Sequence, residues 1–73
     1  MNKKYNCIRE HLKARGISQK WLAEKVGVSY NAMSAICNNR SQPKIPLLYK
    51  IADALEVNIC ELLVNNANKE LNE

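Results

Sequence analysis

Four residues, Val26-Gly27-Val28-Ser29, restrict this chain more than any other feature of it. They stand between two short segments whose apolar residues recur at helical spacing: Leu22, Ala23 and Val26 before them, Met33 and Ile36 after them. Glycine stops the first segment because it takes a positive φ without a Cβ clash. Ser29 follows where a helix N-cap is wanted. Val28 is placed to plug the corner between the two segments. Helices joined by so tight a turn cross steeply and approach closely, and Ala23 leaves room at the crossing. The expected unit is a pair of short helices spanning Gln19 to Asn38, with one face of the second helix left over.

The flanking sequence repeats the helical spacing. Tyr5, Ile8 and Leu12 fall at i, i+3 and i+7 and give a first helix one apolar stripe, ended by Gly16. Ser18 caps the second helix. Asn38-Asn39 end the third, since asparagine tolerates the left-handed conformation. A polar loop, Arg40 to Lys44, carries Pro43 and leads to Pro46, which fits the first turn of a fourth helix. Leu47, Leu48, Ile51, Ala52 and Leu55 form that helix's buried side. Asn58 caps a short fifth helix with Ile59, Leu62 and Leu63 turned inward. Period-2 alternation is missing. The expected fold is all-α: one compact five-helix domain over residues 1–66, followed by a polar C-terminal tail over 67–73.

Composition narrows the function classes. A chain of 73 residues has little room for a scaffold plus a deep pocket. No apolar run approaches the roughly 18 residues of a membrane span. The charged N-terminus has no apolar run behind it, so neither a leader nor a membrane partner is expected, and a cytoplasmic location follows. Cys7, Cys37 and Cys60 are odd in number and lack Cys-x-x-Cys spacing. They read as three reduced thiols, with a redox role for Cys37 as the minor alternative. His11 has no second ligand nearby and reads as a half-buried packing residue. No metal site, cofactor, paired carboxylates, nucleophile–base set or phosphate-binding glycine loop is visible, so no enzyme is expected.

The charge is polarised along the chain. Residues 1–44 carry nine Lys/Arg and two Glu, a net +7, whereas residues 45–73 carry two Lys and five acidic residues, a net −3. Such a division favours a polyanionic partner. The left-over face of the third helix carries Tyr30, Asn31, Ser34, Ala35 and Asn38. A solvent face is ordinarily charged; this one is neutral, hydrogen-bonding and small. That chemistry suits base edges in a major groove: Asn31 can pair with adenine N6 and N7, Ser34 with several bases, and Ala35 can touch a thymine methyl. Tyr30 can reach a base or a phosphate.

On these residues the chain resembles the lambda-repressor-like, Cro/XRE-type helix-turn-helix family. The likeness covers about residues 4–64. It rests on Gly16-Ile17-Ser18-Gln19, Leu22-Ala23, Val26-Gly27-Val28-Ser29, Met33-Ser34 and Ile36, and continues in Pro43, Leu47-Leu48, Ile51-Ala52-Asp53-Ala54-Leu55, Val57 and Glu61-Leu62-Leu63. The second block adds specificity, because a bare helix-turn-helix pattern is common. The resemblance implies a double-stranded DNA partner and a homodimeric transcriptional regulator, a repressor in the first instance. It implies base reading by Tyr30, Asn31, Ser34 and Ala35. It assigns backbone contacts to Gln19, Asn38, Arg40, Ser41 and Lys44. Three positions depart from the family: Asn39 replaces a frequent glycine, His11 an apolar residue and Trp21 a polar one.

An alternative within the same bundle is an antitoxin or accessory module that grips a protein partner. Residues 57–73 are the first candidates for a dimer interface. Trp21 either packs beside Leu22 or offers its indole N–H to a phosphate. Lys3, Lys4 and Lys13 are either a solvated face or additional phosphate contacts.

Overall fold

Most helix ends fall where the sequence supplies a chemical reason. The computed structural model describes residues 3–64. In it α1 spans Ile8–Arg15, α2 Gln19–Val26, α3 Tyr30–Cys37 and α4 Ile45–Leu55, and a single 3₁₀ turn spans Ile59–Leu62. Ser18 Oγ accepts from Trp21 N–H and Ser29 Oγ from Ala32 N–H, both at 3.0 Å, so α2 and α3 begin on side-chain caps. Asn58 and Glu61 cap the 3₁₀ turn reciprocally: Asn58 Oδ1 accepts from Cys60 N–H at 3.3 Å and Glu61 Oε2 from Asn58 N–H at 3.2 Å. Gly16 and Gly27 end α1 and α2 with φ of 68° and 82°.

The core joins all five elements. Ile8 and Leu12 of α1, Leu22, Ala23 and Val26 of α2, and Met33, Ile36 and Cys37 of α3 meet Leu48, Ile51, Ala52 and Leu55 of α4 and Leu62 of the 3₁₀ turn. Full burial of one such aliphatic side chain contributes about 1.5–3 kcal/mol. Gly27 N–H and Val28 N–H both donate to Ala23 carbonyl, at 2.9 and 3.0 Å, which closes the turn onto the residue that leaves room for the crossing. Val28 packs against the core from the corner, as its position predicts.

The all-α expectation holds, with three local corrections. The fifth helix is a 3₁₀ turn, because by Leu63 the chain is already extended and paired: Asn6 and Leu63 form an antiparallel bridge, with Cys7 N–H donating to Leu62 carbonyl and Val64 N–H to Tyr5 carbonyl, each at 2.9 Å. Leu63 consequently faces out and is 45% exposed. Tyr5 lies outside α1 and is 52% exposed, because Asn6 Oδ1 accepts from Ile8 N–H and starts the helix after it. The polar tail expected at 67–73 lies outside the described residues, as do residues 65 and 66. Among the described residues no helix is long and apolar enough to cross a membrane.

Candidate nucleic-acid interface

Helix α3 has one buried face and one open face. Met33, Ile36 and Cys37 hold it to the core, with Met33 wholly buried. Opposite them Tyr30 is 54% exposed and Asn31 is exposed with no hydrogen-bond partner among the described residues. Ser34 and Ala35 are half-buried on the same side. The structure therefore brings the four expected base-reading residues onto one helix face. No charged residue lies on that helix. The open amide of Asn31 has its donors and acceptor available to a ligand, which is the requirement for bidentate contact with a base edge.

The expected backbone contacts are not alike. Gln19 is half-buried at the first position of α2. Arg40 and Ser41 are exposed, and their backbone N–H groups both donate to Ala35 carbonyl, at 2.9 and 3.3 Å. The loop is thereby fixed to the helix that carries the open face. Lys44 is exposed and precedes α4. Asn38 differs from these, because its amide Nδ2 donates to Ser34 carbonyl at 3.0 Å and approaches Ser34 Oγ at 3.4 Å. Its donor end is turned back on its own helix, and a phosphate must compete with Ser34 for it.

Behind the open face lies a polar cluster that local sequence patterns do not reveal. Asn6 is 1% exposed. Its Nδ2 donates to Ile36 carbonyl at 3.1 Å and to Gln42 Oε1 at 2.9 Å. Asn39 stands at φ 60°, the conformation the family's glycine would take. Its side chain does more than tolerate that φ. Oδ1 accepts from Tyr5 N–H, Asn6 N–H and Gln42 Nε2, at 2.8, 3.0 and 3.1 Å, and Nδ2 donates to Asn6 carbonyl at 3.0 Å. The cluster ties the N-terminal segment, the end of α3 and the following loop into one unit. Asn6, Asn39 and Gln42 thus position the interface without lining its open face. The departure at Asn39 was the only hint of this in the sequence.

The remaining singled-out residues take structural places. His11 is half-buried, with Nε2 2.9 Å from Glu61 carbonyl, and Cys7 Sγ donates to the same oxygen at 3.1 Å. Trp21 is 44% exposed and does not close the core; Lys25 Nζ lies 6.0 Å from its ring centroid, within cation–π range. Cys37 is buried, and desolvation pushes its thiol up to about 11, which disfavours the thiolate that a redox role would use. Burial likewise raises the Cys7 thiol, with the Glu10 carboxylate adding to it.

Comparisons with known proteins agree with this geometry. The helix-turn-helix family model matches residues 8–62. An uncharacterized HTH-type transcriptional regulator of Methanothermobacter thermautotrophicus is 44% identical over 48 residues, covering 66% of this chain and 70% of that one. A crystallised Bacteroides fragilis protein is 37% identical at a TM-score of 0.78, covering 81% of this chain and 95% of that one. The biofilm master regulator SinR, solved in complex with DNA, is 35% identical at a TM-score of 0.65, covering 73% of this chain and 86% of that one.

Proposed function

The chain belongs to the lambda-repressor-like, Cro/XRE-type helix-turn-helix family, and from that premise we propose that it is a sequence-specific double-stranded DNA-binding transcriptional regulator, acting as a repressor. The observation that carries this reading is the open, uncharged face of α3, on which Tyr30 and Asn31 are exposed beside Ser34 and Ala35. In this reading α3 enters the major groove, where Asn31 pairs with an adenine edge and Ala35 approaches a thymine methyl. Gln19, Asn38, Arg40, Ser41 and Lys44 hold the phosphates on either side and fix the register. The 35%-identical SinR, crystallised with DNA, supports DNA as the partner.

The working form is a homodimer on two half-sites about one helical turn, roughly 34 Å, apart. Its support is a largely apolar groove lined by Tyr5, Pro43, Ile45, Leu48 and Leu63 together with the amides of Asn6 and Gln42, in which Ile45 and Leu63 are 62% and 45% exposed. A second copy of the chain is the occupant this reading assigns to the groove. Leu63 falls within the segment expected to form the interface, and residues 65–73 of that segment lie outside the described residues. Ile45→Asp should lower the dimer fraction in sedimentation and remove cooperativity on DNA.

Selection of bound duplexes from a random pool tests the function directly. A symmetric consensus with two half-sites is the expected result. Affinity for the selected site should fall with salt along a log–log slope of several units. A pool that never enriches would sink the reading.

A further inference from the structure

A recess beside the open face of α3 is built from the N-terminal segment, the first turn of α1 and the end of α3. Lys4, Arg9, Glu10, Cys37, Asn38 and Asn39 line it. Two of these are cations, one is an anion, and Asn38 and Asn39 are amides. Lys4 is held from two sides. Asn39 Oδ1 accepts from the next two backbone N–H groups, Tyr5 at 2.8 Å and Asn6 at 3.0 Å, and the Glu10 carboxylate pairs with the Lys4 ammonium. Arg9 lies one residue before Glu10 on α1, is exposed, and makes no salt bridge among the described residues.

A helix C-terminus ordinarily repels an anion through its bare carbonyls. Here three of the four carbonyls in the last turn of α3 are covered. Ser34 carbonyl accepts from Asn38 N–H and Nδ2, Ala35 carbonyl from Arg40 and Ser41 N–H, and Ile36 carbonyl from Asn39 N–H and Asn6 Nδ2. The recess thus carries two cations against one anion and shares Asn38 with the residues assigned to the DNA backbone.

We propose that this recess seats one further phosphate of the DNA backbone, contacted by Arg9 and Lys4, with the Glu10 carboxylate occupying the Lys4 ammonium until DNA arrives. The proposal rests on the DNA-binding reading above and extends its footprint across the first turn of α1. It separates Lys4 from Lys13: both are exposed lysines near the N-terminus, and only Lys4 faces the recess. Glu10 then opposes binding, so its loss should tighten the complex.

The test is the salt dependence of binding by the full chain, measured on the selected duplex and on a scrambled one, for Arg9→Ala, Glu10→Gln and Lys13→Ala. Each phosphate contact contributes about 0.9 to the log–log slope. Arg9→Ala should flatten the slope by about one unit and weaken both duplexes by the same factor, leaving sequence preference unchanged. Glu10→Gln should strengthen both. Lys13→Ala should leave the slope within error. All three positions are exposed, and equal urea midpoints would confirm that folding is intact. An unchanged slope for Arg9→Ala, or an equal loss for Lys13→Ala, overturns the recess while the DNA-binding reading stands. Wild-type protein that binds no duplex overturns both.

Discussion

Two asparagines on this domain, Asn31 and Asn6, carry the same amide to opposite ends. Asn31 sits exposed on α3 with no partner among the described residues, whereas Asn6 lies 1% exposed on the other side of that helix with its amide oxygen and nitrogen all engaged. An open amide can be satisfied by a ligand; a buried one must be satisfied by the fold, because leaving it unpaired costs about 1–3 kcal/mol. The contrast separates reading from positioning. It also explains how so small a domain can leave one helix face uncommitted: the cluster of Asn6, Asn39 and Gln42 clamps the far end of that helix.

The largest expected effect breaks the buried side of the comparison. Asn6→Ala orphans the Ile8 N–H and removes one of the two donors to the Ile36 carbonyl, which keeps Asn39 N–H, so the domain should lose about 2–3 kcal/mol, measured as a drop in urea midpoint without DNA. For a domain whose whole stability is of order 5–15 kcal/mol, that is a large share. Any protein that stays folded should keep its sequence preference. A midpoint within about 0.5 kcal/mol of wild type, the range of ordinary surface changes, would show that the cluster is not structural.

The second substitution probes the open side. Asn31→Ala removes no contact within the described residues, so its urea midpoint should stay within about 0.5 kcal/mol of wild type. Its affinity for the selected duplex should fall by about five- to a hundredfold, the worth of a bidentate base contact, while binding to scrambled DNA is unchanged. Equal losses on both duplexes would reassign Asn31 from a base to a phosphate.

The two sides were not equally legible in the sequence. The turn at Gly27, the caps at Ser18, Ser29 and Asn58, and the inward residues of α2 to α4 follow from local spacing and local hydrogen bonding, and each appears where expected. So does the composition of the open face, because residues on one side of a helix recur with its period. The buried cluster joins residues about 30 positions apart, such as Asn6 to Ile36 and Tyr5 to Asn39, and no periodicity encodes such a pairing. The same reason misplaced Leu63: helical spacing put it on an apolar face, and its bridge to Asn6 turned it outward, while Tyr5 was displaced by the Asn6 bond to Ile8 N–H that starts α1 after it. Trp21 shows the converse limit, since a lone tryptophan beside Leu22 reads as core and instead lies half-exposed with Lys25 near its ring.

Asn39 sharpens the comparison, because it has two possible reasons to be asparagine. If it served only as a residue able to hold φ 60°, glycine would serve better. If its side chain is needed, glycine removes the acceptor for Tyr5 and Asn6 N–H and the donor to Asn6 carbonyl. Asn39→Gly should therefore destabilise, by about 1–2 kcal/mol, since these groups are only part-buried and water can replace some of the bonds. The Lys4-dependent part of the salt slope should shrink with it, because the segment that carries Lys4 loses its anchor.

Glu56 supplies the control and the smallest effect. It ends α4 at φ 57°, nearly the same backbone conformation as Asn39, and its side chain is exposed with no hydrogen bond or ion pair among the described residues. Here only the conformational cost of a side chain in the left-handed region is at stake, about 1 kcal/mol. Its backbone N–H bonds, to Ala52 and Asp53 carbonyls, survive any substitution but proline. Glu56→Gly should then raise stability by about 0.5–1 kcal/mol, read as a higher urea midpoint, offset in part by the greater freedom of glycine in the unfolded chain. The pair of variants separates backbone from side chain: opposite signs at two positions of like φ would show that Asn39 is kept for its amide. If both variants gained stability, the buried cluster would be reduced to Asn6 and Gln42, and the contrast between tied and open asparagines would rest on Asn6 alone.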